Sequence, residues 1–298
     1  AGEAGRVKVA VLQGSFTEQE KWALPLDTLI KRFEKLALEA AREGPELMVW
    51  PETATASFIT SEPGMAGRIT RLAARTRAAH LVGALFLDPR GRIYNGAFLF
   101  ERAGMKGWYA KMHLVPFGEY IPRWLKVLAP FVKKVTEGVE DLSPGAVPVL
   151  PRLSSGLELG VAVCYEAIFP EHARMLERAG AGVFVNVTND AWYGRTAATY
   201  QHALGPIARS VECGRYTVRC ANTGVSLLID PRGRFKGSLP IFEPGVITGS
   251  VGTVQGGTAC SVLGDAAAAA WIAVSAVMCW LRRRKALREN VASSPPVG

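Results

Sequence analysis

Apolar runs that fit buried β-strands alternate with helical stripes along most of the chain. The first run covers residues 7–15, and residues 27–43 place apolar side chains at helical spacing until Gly44 and Pro45 end the stripe. Short strands alternating with amphipathic helices are typical of layered α/β domains. The pattern therefore favours an α/β domain over an all-α or all-β fold.

The same criteria predict the remaining elements. Two apolar runs joined by the turn Asp88–Arg92, and a third run after Gly107, predict an antiparallel meander. No repeat of about 20 to 50 residues is visible, which excludes a solenoid or a propeller. Further strands are predicted over 46–50, 81–87, 94–101, 157–164, 181–188, 215–221, 224–230 and 245–251, and further helices over 68–79, 170–179 and 199–212.

The sequence after Lys111 departs from this alternation. Residues 113–122 contain two prolines and a glycine, so we expect a shaped loop. Residues 123–135 are apolar and basic, and their apolar positions show no sustained helical or strand periodicity. Such a segment is a candidate for a lid that faces a membrane. Packing as an ordinary buried loop is the alternative.

The C-terminal segment has the composition of a membrane span. Residues 266–281 contain no charge. At about 1.5 Å per residue, the stretch that begins at Val262 reaches the roughly 30 Å thickness of the hydrocarbon core. We therefore predict a transmembrane helix over 258–281, and an alanine-rich helix outside the membrane, with Asp265 near its start, is the alternative.

The basic cluster Arg282–Lys285 stops this apolar segment. By the positive-inside rule the cluster lies in the cytoplasm, which places everything before it on the opposite face of the membrane. We predict a catalytic domain over 1–257 and a basic cytoplasmic tail over 282–298. The chain begins without Met and shows no signal-peptide pattern, so we expect that further sequence precedes residue 1 or has been removed.

Composition and charge add two exclusions. A hydrophobic content of 49% excludes a disordered chain. The formal net charge is +9, and residues 282–289 contribute +4 of it. Because the remaining charge is spread along the chain, we predict no nucleic-acid partner.

The five cysteines are scattered along the sequence, at Cys164, Cys213, Cys220, Cys260 and Cys279. They are too few for a disulfide framework and lack metal-ligand spacing, so we predict neither a metal site nor a cofactor. Cys213 and Cys220 are interpreted as two core thiols, with pairing in an oxidising compartment as the alternative.

Three potentially reactive residues follow predicted strands. Glu52 follows ELMVW, Lys111 follows WYA, and Cys164 follows LELGVAV. In open α/β sheets, ligands bind beyond the carboxyl ends of strands, so the three side chains are expected to share one crevice. Singly, each has a structural interpretation: a helix cap, a solvated charge and an inert core thiol.

Together the three residues form a coherent nucleophilic site. A cysteine attacks as the thiolate, so it needs a base or a positive neighbour, and Glu52 and Lys111 supply both. Lys111 and the backbone N–H of Tyr165 would stabilise the oxyanion of a tetrahedral intermediate. The expected reaction is acyl transfer through a thioester on Cys164, without a histidine.

The motifs around these residues resemble the nitrilase, or carbon–nitrogen hydrolase, superfamily. Its Glu-Lys-Cys order matches WPET (50–53), Lys111 before HLVPFGEY, and VCYE (163–166). Within it, the finer resemblance is to the apolipoprotein N-acyltransferase family. That resemblance is carried by YNGAFLF (94–100), KMHLVPFGEYIP (111–122), VCYEAIFP (163–170), VTNDAWYG (187–194), QHALGPIARSVECGRYTVRCANTGVS (201–226) and the closing apolar segment with RRRK.

The resemblance implies an αββα sandwich and a lipid-modifying transferase without a cofactor. A phospholipid would donate an acyl chain to Cys164, and the N-terminal amine of an S-diacylglyceryl-cysteine lipoprotein would accept it. The implied setting is the bacterial inner membrane, with the catalytic domain on the periplasmic face, and we expect a monomer. The family carries a multi-helix membrane portion before this domain, whereas the chain begins close to its first predicted strand.

By position, the resemblance also assigns roles to individual residues. Glu52 would be the general base, Lys111 the oxyanion partner and Cys164 the acylated nucleophile. Glu119 and Glu166 match further acidic residues of the family site, which would hold the lysine and order its loop.

Two aromatic residues complete the set that the resemblance assigns. Tyr165 and Trp192 match aromatic positions beside the family's pocket. Without the resemblance, the acids at 119 and 166 would be interpreted as a surface acid or a helix cap.

Two other classes of function compete with the acyltransferase. A nitrilase-type amidase would use the same Glu-Lys-Cys triad with water as the second nucleophile. It explains the three residues equally well, but not the apolar C-terminal segment or HLVPFGEY. A catalytically silent, membrane-tethered module is the third class, and the intact triad argues against it.

Overall fold

A computed structural model describes residues 2–122 and 141–292 of the chain. The lid predicted over 123–135 and residues 293–298 of the predicted tail lie outside the described residues. The chain divides into two compact units, Ala1–Thr258 and Ala259–Gly298.

The first unit contains two β-sheets. A six-stranded sheet has the order β11-β1-β2-β3-β4-β5, and a five-stranded sheet has the order β10-β9-β8-β7-β6. The strands are β1 (Gly2–Gln13), β2 (Leu47–Val49), β3 (Ala79–Leu87), β4 (Ile93–Glu101), β5 (Gly104–Ala110), β6 (Leu159–Val163), β7 (Val183–Thr188), β8 (Thr217–Ala221), β9 (Ser226–Ile229), β10 (Phe235–Leu239) and β11 (Gly245–Gln255).

Helices lie between these strands and after the last of them. Short 3-10 helices cover Ala41–Glu43, Cys164–Ile168 and Ala191–Tyr193. The α-helices are α1 (Glu18–Ala23), α2 (Leu26–Ala40), α3 (Met65–Thr76), α4 (Pro170–Arg178), α5 (Ala197–Cys213), α6 (Ala259–Leu263) and α7 (Ala266–Ala292).

The continuous apolar run of β1 reflects burial on both faces. Val9 and Val11 belong to the core between the two sheets, while Ala10 and Leu12 belong to a second core beneath α2 and α3. A strand that is covered on both sides needs apolar residues at every position, because successive side chains point to opposite faces.

Four layers result from this packing. The core between the sheets draws residues from both of them, and α2 and α3 cover the outer face of the six-stranded sheet. Helices α4 and α5 contribute to smaller apolar clusters with strands of the five-stranded sheet. Burial of each large apolar side chain contributes about 1.5–3 kcal/mol, so these layers hold the sandwich together. The αββα architecture implied by the resemblance is confirmed.

The second unit contains α6 and α7, where the sequence predicts a transmembrane helix over 258–281. Within residues 2–122 and 141–292, no helix combines the length and the apolar content that crossing a membrane requires.

Candidate active site

Each of the three residues predicted to react follows the end of a strand. Glu52 follows β2, Lys111 follows β5 and Cys164 follows β6. Gly83 of β3 permits the close passage of the loop that carries Glu52. A Cβ atom at Gly83 would lie 2.2 Å from the carbonyl oxygen of Pro51 and 2.7 Å from Cα of Glu52. Any side chain at position 83 would therefore displace the loop.

Glu52 is held at both carboxylate oxygens. The side-chain amide of Asn95 donates a hydrogen bond to Oε1 (2.7 Å), and the backbone N–H of Asn189 donates to Oε2 (2.8 Å). The residue is only 7% exposed. These bonds fix the orientation of a buried carboxylate that retains lone pairs to accept a proton.

Lys111 is buried between two carboxylates. Its Nζ donates to Oε1 of Glu119 (2.8 Å) and lies 3.6 Å from Oε1 of Glu52. Burial alone would lower the pKa of Lys111, but Glu52, the Cys164 sulfur and Glu119 outweigh it and raise the pKa above its ordinary value. The amine is therefore a permanent cation in the site.

Glu119 connects this cation to the loop that follows it. Its Oε1 accepts from Lys111, and its Oε2 accepts from the backbone N–H of Val115 (2.8 Å). Asn95 also donates to Oε1 of Glu119 (3.2 Å), so the amide bridges the two carboxylates. Glu119 therefore connects the Lys111 amine to the backbone of the predicted loop.

Cys164 sits on a turn with unusual backbone geometry. Its φ of 52° lies in the left-handed region, which a non-glycine residue adopts only at a cost in energy. Burial raises the pKa of the thiol to about 12, with Glu52 adding to the effect and Lys111 opposing it. The thiol is therefore neutral at rest, and it can act as a nucleophile only after a base removes its proton.

Glu166 joins the segment after β5 to the end of β6. Its Oε1 accepts from the Tyr109 hydroxyl (2.8 Å) and from the backbone N–H groups of Met112 (2.6 Å) and His113 (3.0 Å). Its Oε2 accepts from the backbone N–H of Val163 (2.7 Å). One fully buried carboxylate thus orders the backbone on either side of the lysine and the cysteine.

We expect Glu166→Gln to destabilise the protein by about 1–3 kcal/mol, because the new NH₂ group must face at least one backbone N–H or hydroxyl donor. Burial would raise the pKa of Glu166, but the His113 and His172 imidazoles and backbone N–H groups lower it below its ordinary value. The carboxylate therefore stabilises the fold above the unfolded-state pKa, and this contribution is lost as pH falls through the folded-state pKa.

Urea unfolding of the wild type and of Glu166→Gln at neutral and acidic pH measures both effects. The difference in unfolding free energy should be largest at neutral pH and should shrink on acidification. Glu39→Gln, on the exposed face of α2, is the matched control. A difference that grows on acidification would contradict the assignment.

One group of side chains has a spacing that a metal could use. Ligand atoms of His113, Glu166 and His172 lie within 4.8 Å of one another. Glu166 already accepts four hydrogen bonds from backbone and hydroxyl donors. A metal would have to displace some of them, so the chemistry of this group fits a structural hydrogen-bond network better than a metal site.

The two predicted aromatic residues lie near the ends of β6 and β7. Tyr165 follows the cysteine directly, is partly buried and packs edge-to-face on Phe169, with ring centroids 4.8 Å apart. Trp192 lies in the 3-10 helix Ala191–Tyr193 and is 52% exposed. The indole is therefore free to contact a ligand at the surface.

Three residues that position Glu52 were not singled out from the sequence. Asn95 and Asn189 lie within YNGAFLF and VTNDAWYG, so the motifs contained them without indicating their role. Lys21 is 4% exposed, and its amine contacts the Thr53 hydroxyl and donates to the Glu52 carbonyl (3.4 Å). A lone lysine in a short helix carries no signal for this contact.

Cys213 and Cys220 are both buried, free thiols. The Cys220 thiol donates to the backbone carbonyl of Val49 (3.2 Å) in the core between the sheets. The interpretation as two core thiols is therefore confirmed.

A buried Glu-Lys-Cys site at the strand ends of an αββα sandwich is the arrangement that the resemblance implies. The chain belongs to the carbon–nitrogen hydrolase family, whose sequence profile matches residues 8–256. Over most of its length the chain is also similar to apolipoprotein N-acyltransferases. It is 39% identical, over 95% of its length, to the apolipoprotein N-acyltransferase of Geobacter metallireducens, and 35% identical, over 82%, to that of Brucella melitensis.

The match covers only part of these relatives. The chain spans 55% of the Geobacter protein and 48% of the Brucella protein, about half the length of each.

Solved structures show the same fold at low sequence identity. Saccharomyces cerevisiae Nit3, a member of branch 10 of the nitrilase superfamily, superposes with a TM-score of 0.63 at 22% identity, over 84% of this chain and 91% of Nit3. An amidase from Nesterenkonia sp. superposes with a TM-score of 0.61 at 20% identity, over 84% of this chain and 91% of the amidase.

Proposed function

We propose that the chain is the catalytic part of an apolipoprotein N-acyltransferase. It would transfer an acyl chain from a phospholipid, through a thioester on Cys164, to the N-terminal amine of S-diacylglyceryl cysteine in lipoproteins. The observation that carries this proposal is the similarity to the Geobacter enzyme over 95% of the chain. The site geometry supports acyl transfer in general, and this similarity favours the lipid reaction over hydrolysis.

In the first step, Glu52 takes the Cys164 proton as the sulfur attacks the ester carbonyl carbon of the phospholipid. The negative charge that develops on the carbonyl oxygen is stabilised by Lys111 and by the backbone N–H of Tyr165. As the ester C–O bond breaks, the protonated Glu52 returns the proton to the leaving oxygen. A lysophospholipid leaves, and the acyl chain remains on sulfur as a thioester.

In the second step, the lipoprotein amine attacks the thioester carbon. Glu52 accepts the proton that the amine loses as the C–N bond forms, and the C–S bond breaks. The sulfur leaves as a thiolate beside the Lys111 cation and recovers a proton from Glu52. Water must be excluded while the thioester exists, because hydrolysis would turn the transferase into a hydrolase.

We also propose a membrane setting for this reaction, since both substrates are anchored in a bilayer. Support comes from the composition of α7, in which large apolar side chains are exposed and precede the cluster Arg282–Lys285. By the positive-inside rule, such a cluster favours a cytoplasmic C-terminus and a catalytic unit on the periplasmic face of the inner membrane. The exposed apolar side chains are Trp271, Ile272, Val274, Val277, Met278, Trp280 and Leu281.

The proposed function is tested by mass spectrometry in two stages. Membranes containing the full chain are incubated with a phospholipid that carries a mass-labelled acyl chain, and Cys164 is examined for the acyl adduct. A diacylglyceryl-cysteine peptide is then added, and transfer of the label to its amine is measured. Absence of the adduct would contradict the proposal, and an adduct released only by water would favour the amidase.

A further inference from the structure

The strand register places a buried threonine beside the cysteine. Strands β6 and β7 are parallel neighbours in which Val163 is aligned with Val187, so Cys164, the first residue after β6, follows the pair on one strand and Thr188, the last residue of β7, follows it on the other. Thr188 is fully buried, and hydrogen bonding by its side chain lowers the pKa of the Cys164 thiol, against the larger upward effect of burial. The hydroxyl also donates to Oδ1 of Asp190 (3.0 Å).

Asp190 is a fixed acceptor for that hydroxyl. Arg219 Nη2 donates to its Oδ2 (2.6 Å), and the Nδ1 of His202 lies 2.9 Å from its Oδ1. Burial would raise the pKa of Asp190, but Arg219 and His202 outweigh it and lower the pKa below its ordinary value. The group is therefore a carboxylate, which accepts hydrogen bonds and donates none.

Buried groups pack closely around the Asp190 carboxylate. Arg219, itself fully buried, also donates to the carbonyl of Val225 (3.1 Å) and contacts the Asn186 side chain. A Cβ atom at Gly224 would lie 2.0 Å from Oδ2 of Asp190. A buried cation and the backbone at Gly224 thus both lie close to Oδ2 of the acceptor.

This arrangement determines the direction of the bond between Thr188 and Cys164. A hydroxyl has one hydrogen, and in the resting site that hydrogen is directed to Asp190. Its oxygen therefore presents a lone pair to Cys164, and the thiol S–H must be the donor. When the thiol loses its proton, the hydroxyl can rotate about its C–O bond and donate to the sulfur anion, while Arg219 and His202 keep Asp190 satisfied.

We propose that Thr188 is a positioning residue that orients the Cys164 S–H bond at rest and donates to the thiolate during attack. The proposal deepens the acyl-transfer mechanism given above and rests on it. It assigns Asp190 the role of setting the resting direction of the hydroxyl. The proton itself still passes from sulfur to Glu52, so the threonine exchanges no proton with either group.

Other charged and titratable groups also act on the sulfur, and they remain in place when Thr188 is changed. Glu52 approaches from the loop after β2, Lys111 from the end of β5, and Asp190 and Tyr193 from the segment after β7. A shift in the alkylation profile of Cys164 after loss of the Thr188 hydroxyl is therefore caused by that hydroxyl, since the other groups are unchanged.

The test is the pH profile of Cys164 alkylation by iodoacetamide in the full chain, read by peptide mass spectrometry without lipid. Thr188→Val is nearly isosteric and removes the donor to the thiolate. We expect its profile to move to higher pH and its rate near neutral pH to fall by about 3- to 10-fold, the value of one hydrogen bond. Thr188→Ser should restore the wild-type profile.

Two controls separate this effect from a general loss of structure. Thr217→Val removes another buried hydroxyl of the same sheet, one that accepts from Ser210, and should leave the Cys164 profile unchanged. Alkylation of the exposed Cys260 in the same samples measures the reactivity of the iodoacetamide itself and should be the same in all variants. If Thr188→Val does not fold, Thr188→Ala should show the same upward shift.

A profile that is unchanged in Thr188→Val and Thr188→Ala would overturn the proposal, as would a shift that serine fails to reverse. Alkylation needs no acyl donor, so its result is independent of the lipid reaction. Failure to form an acyl adduct, with the expected alkylation shift present, would instead overturn the proposed function.

Discussion

Replacing Cys164 with alanine should abolish the acyl adduct and reduce transfer to the lipoprotein amine by at least about a thousandfold. The reason is chemical, because Cys164 supplies the sulfur on which the thioester forms in the proposed reaction. Mass spectrometry of the full chain after incubation with labelled phospholipid measures the adduct directly. The variant should fold, since alanine tolerates the turn about as well as cysteine does.

Cys213→Ala is the matched control for this prediction. The Cys213 thiol is buried, whereas Cys164 is partly buried, and burial raises the pKa of both thiols to about 12. It lies at the end of α5 and in the apolar cluster beneath α4, away from the strand ends that carry the triad. The adduct should therefore survive in Cys213→Ala, and its loss in both variants would indicate misfolding rather than chemistry.

Glu52→Gln should change two reactions of the same sulfur in opposite directions. Acylation should slow by about 10²- to 10⁴-fold, because the general base is lost. Alkylation by iodoacetamide near neutral pH should become faster, since the Glu52 charge contributes to the raised pKa of the Cys164 thiol. When the Glu52 charge is removed, the Lys111 cation still lowers the pKa of the thiol, so the thiolate is more populated.

Both rates are measured on the same preparation, with Glu62→Gln, an exposed acid, as the control that should match the wild type. Glutamine keeps the size of the side chain but retains only one of the two oxygens that accept from Asn95 and Asn189. A purely structural defect would slow acylation and alkylation together. Parallel loss of both rates would therefore contradict the assignment of Glu52 as the base.

Most of the layered fold could be predicted from apolar periodicity. The predicted strand over 46–50 corresponds to β2, and the predicted helices over 170–179 and 199–212 correspond to α4 and α5. These elements are buried on one or both faces, so their residues carry a strong pattern.

Helix α1 and strand β10 escaped prediction for physical reasons. Helix α1 has six residues and depends on a capping box in which Thr17 and Glu20 satisfy each other's backbone N–H groups. Strand β10 contains Gly237, lies at the edge of its sheet and has little buried surface. Short elements held by caps or by one neighbouring strand leave too few apolar positions to show a period.

The sequence by itself predicted the residues of the candidate site. Glu52, Lys111 and Cys164 could be selected because each is a reactive type at the end of an apolar run, and strand ends converge in α/β sheets. The surrounding motifs then indicated the family and added Glu119 and Glu166. These are local properties of the chain, which composition and order can express.

Only the tertiary structure decided which atoms these residues meet. The contacts of Asn95 and Asn189 with Glu52, and of Asp190 with Arg219, join segments far apart in the chain. Such contacts are set by strand register and sheet packing, and no local pattern encodes them. The neutral resting thiol of Cys164 and the permanent charge of Lys111 follow from this arrangement, because burial and neighbouring charges, not residue type alone, determine a pKa.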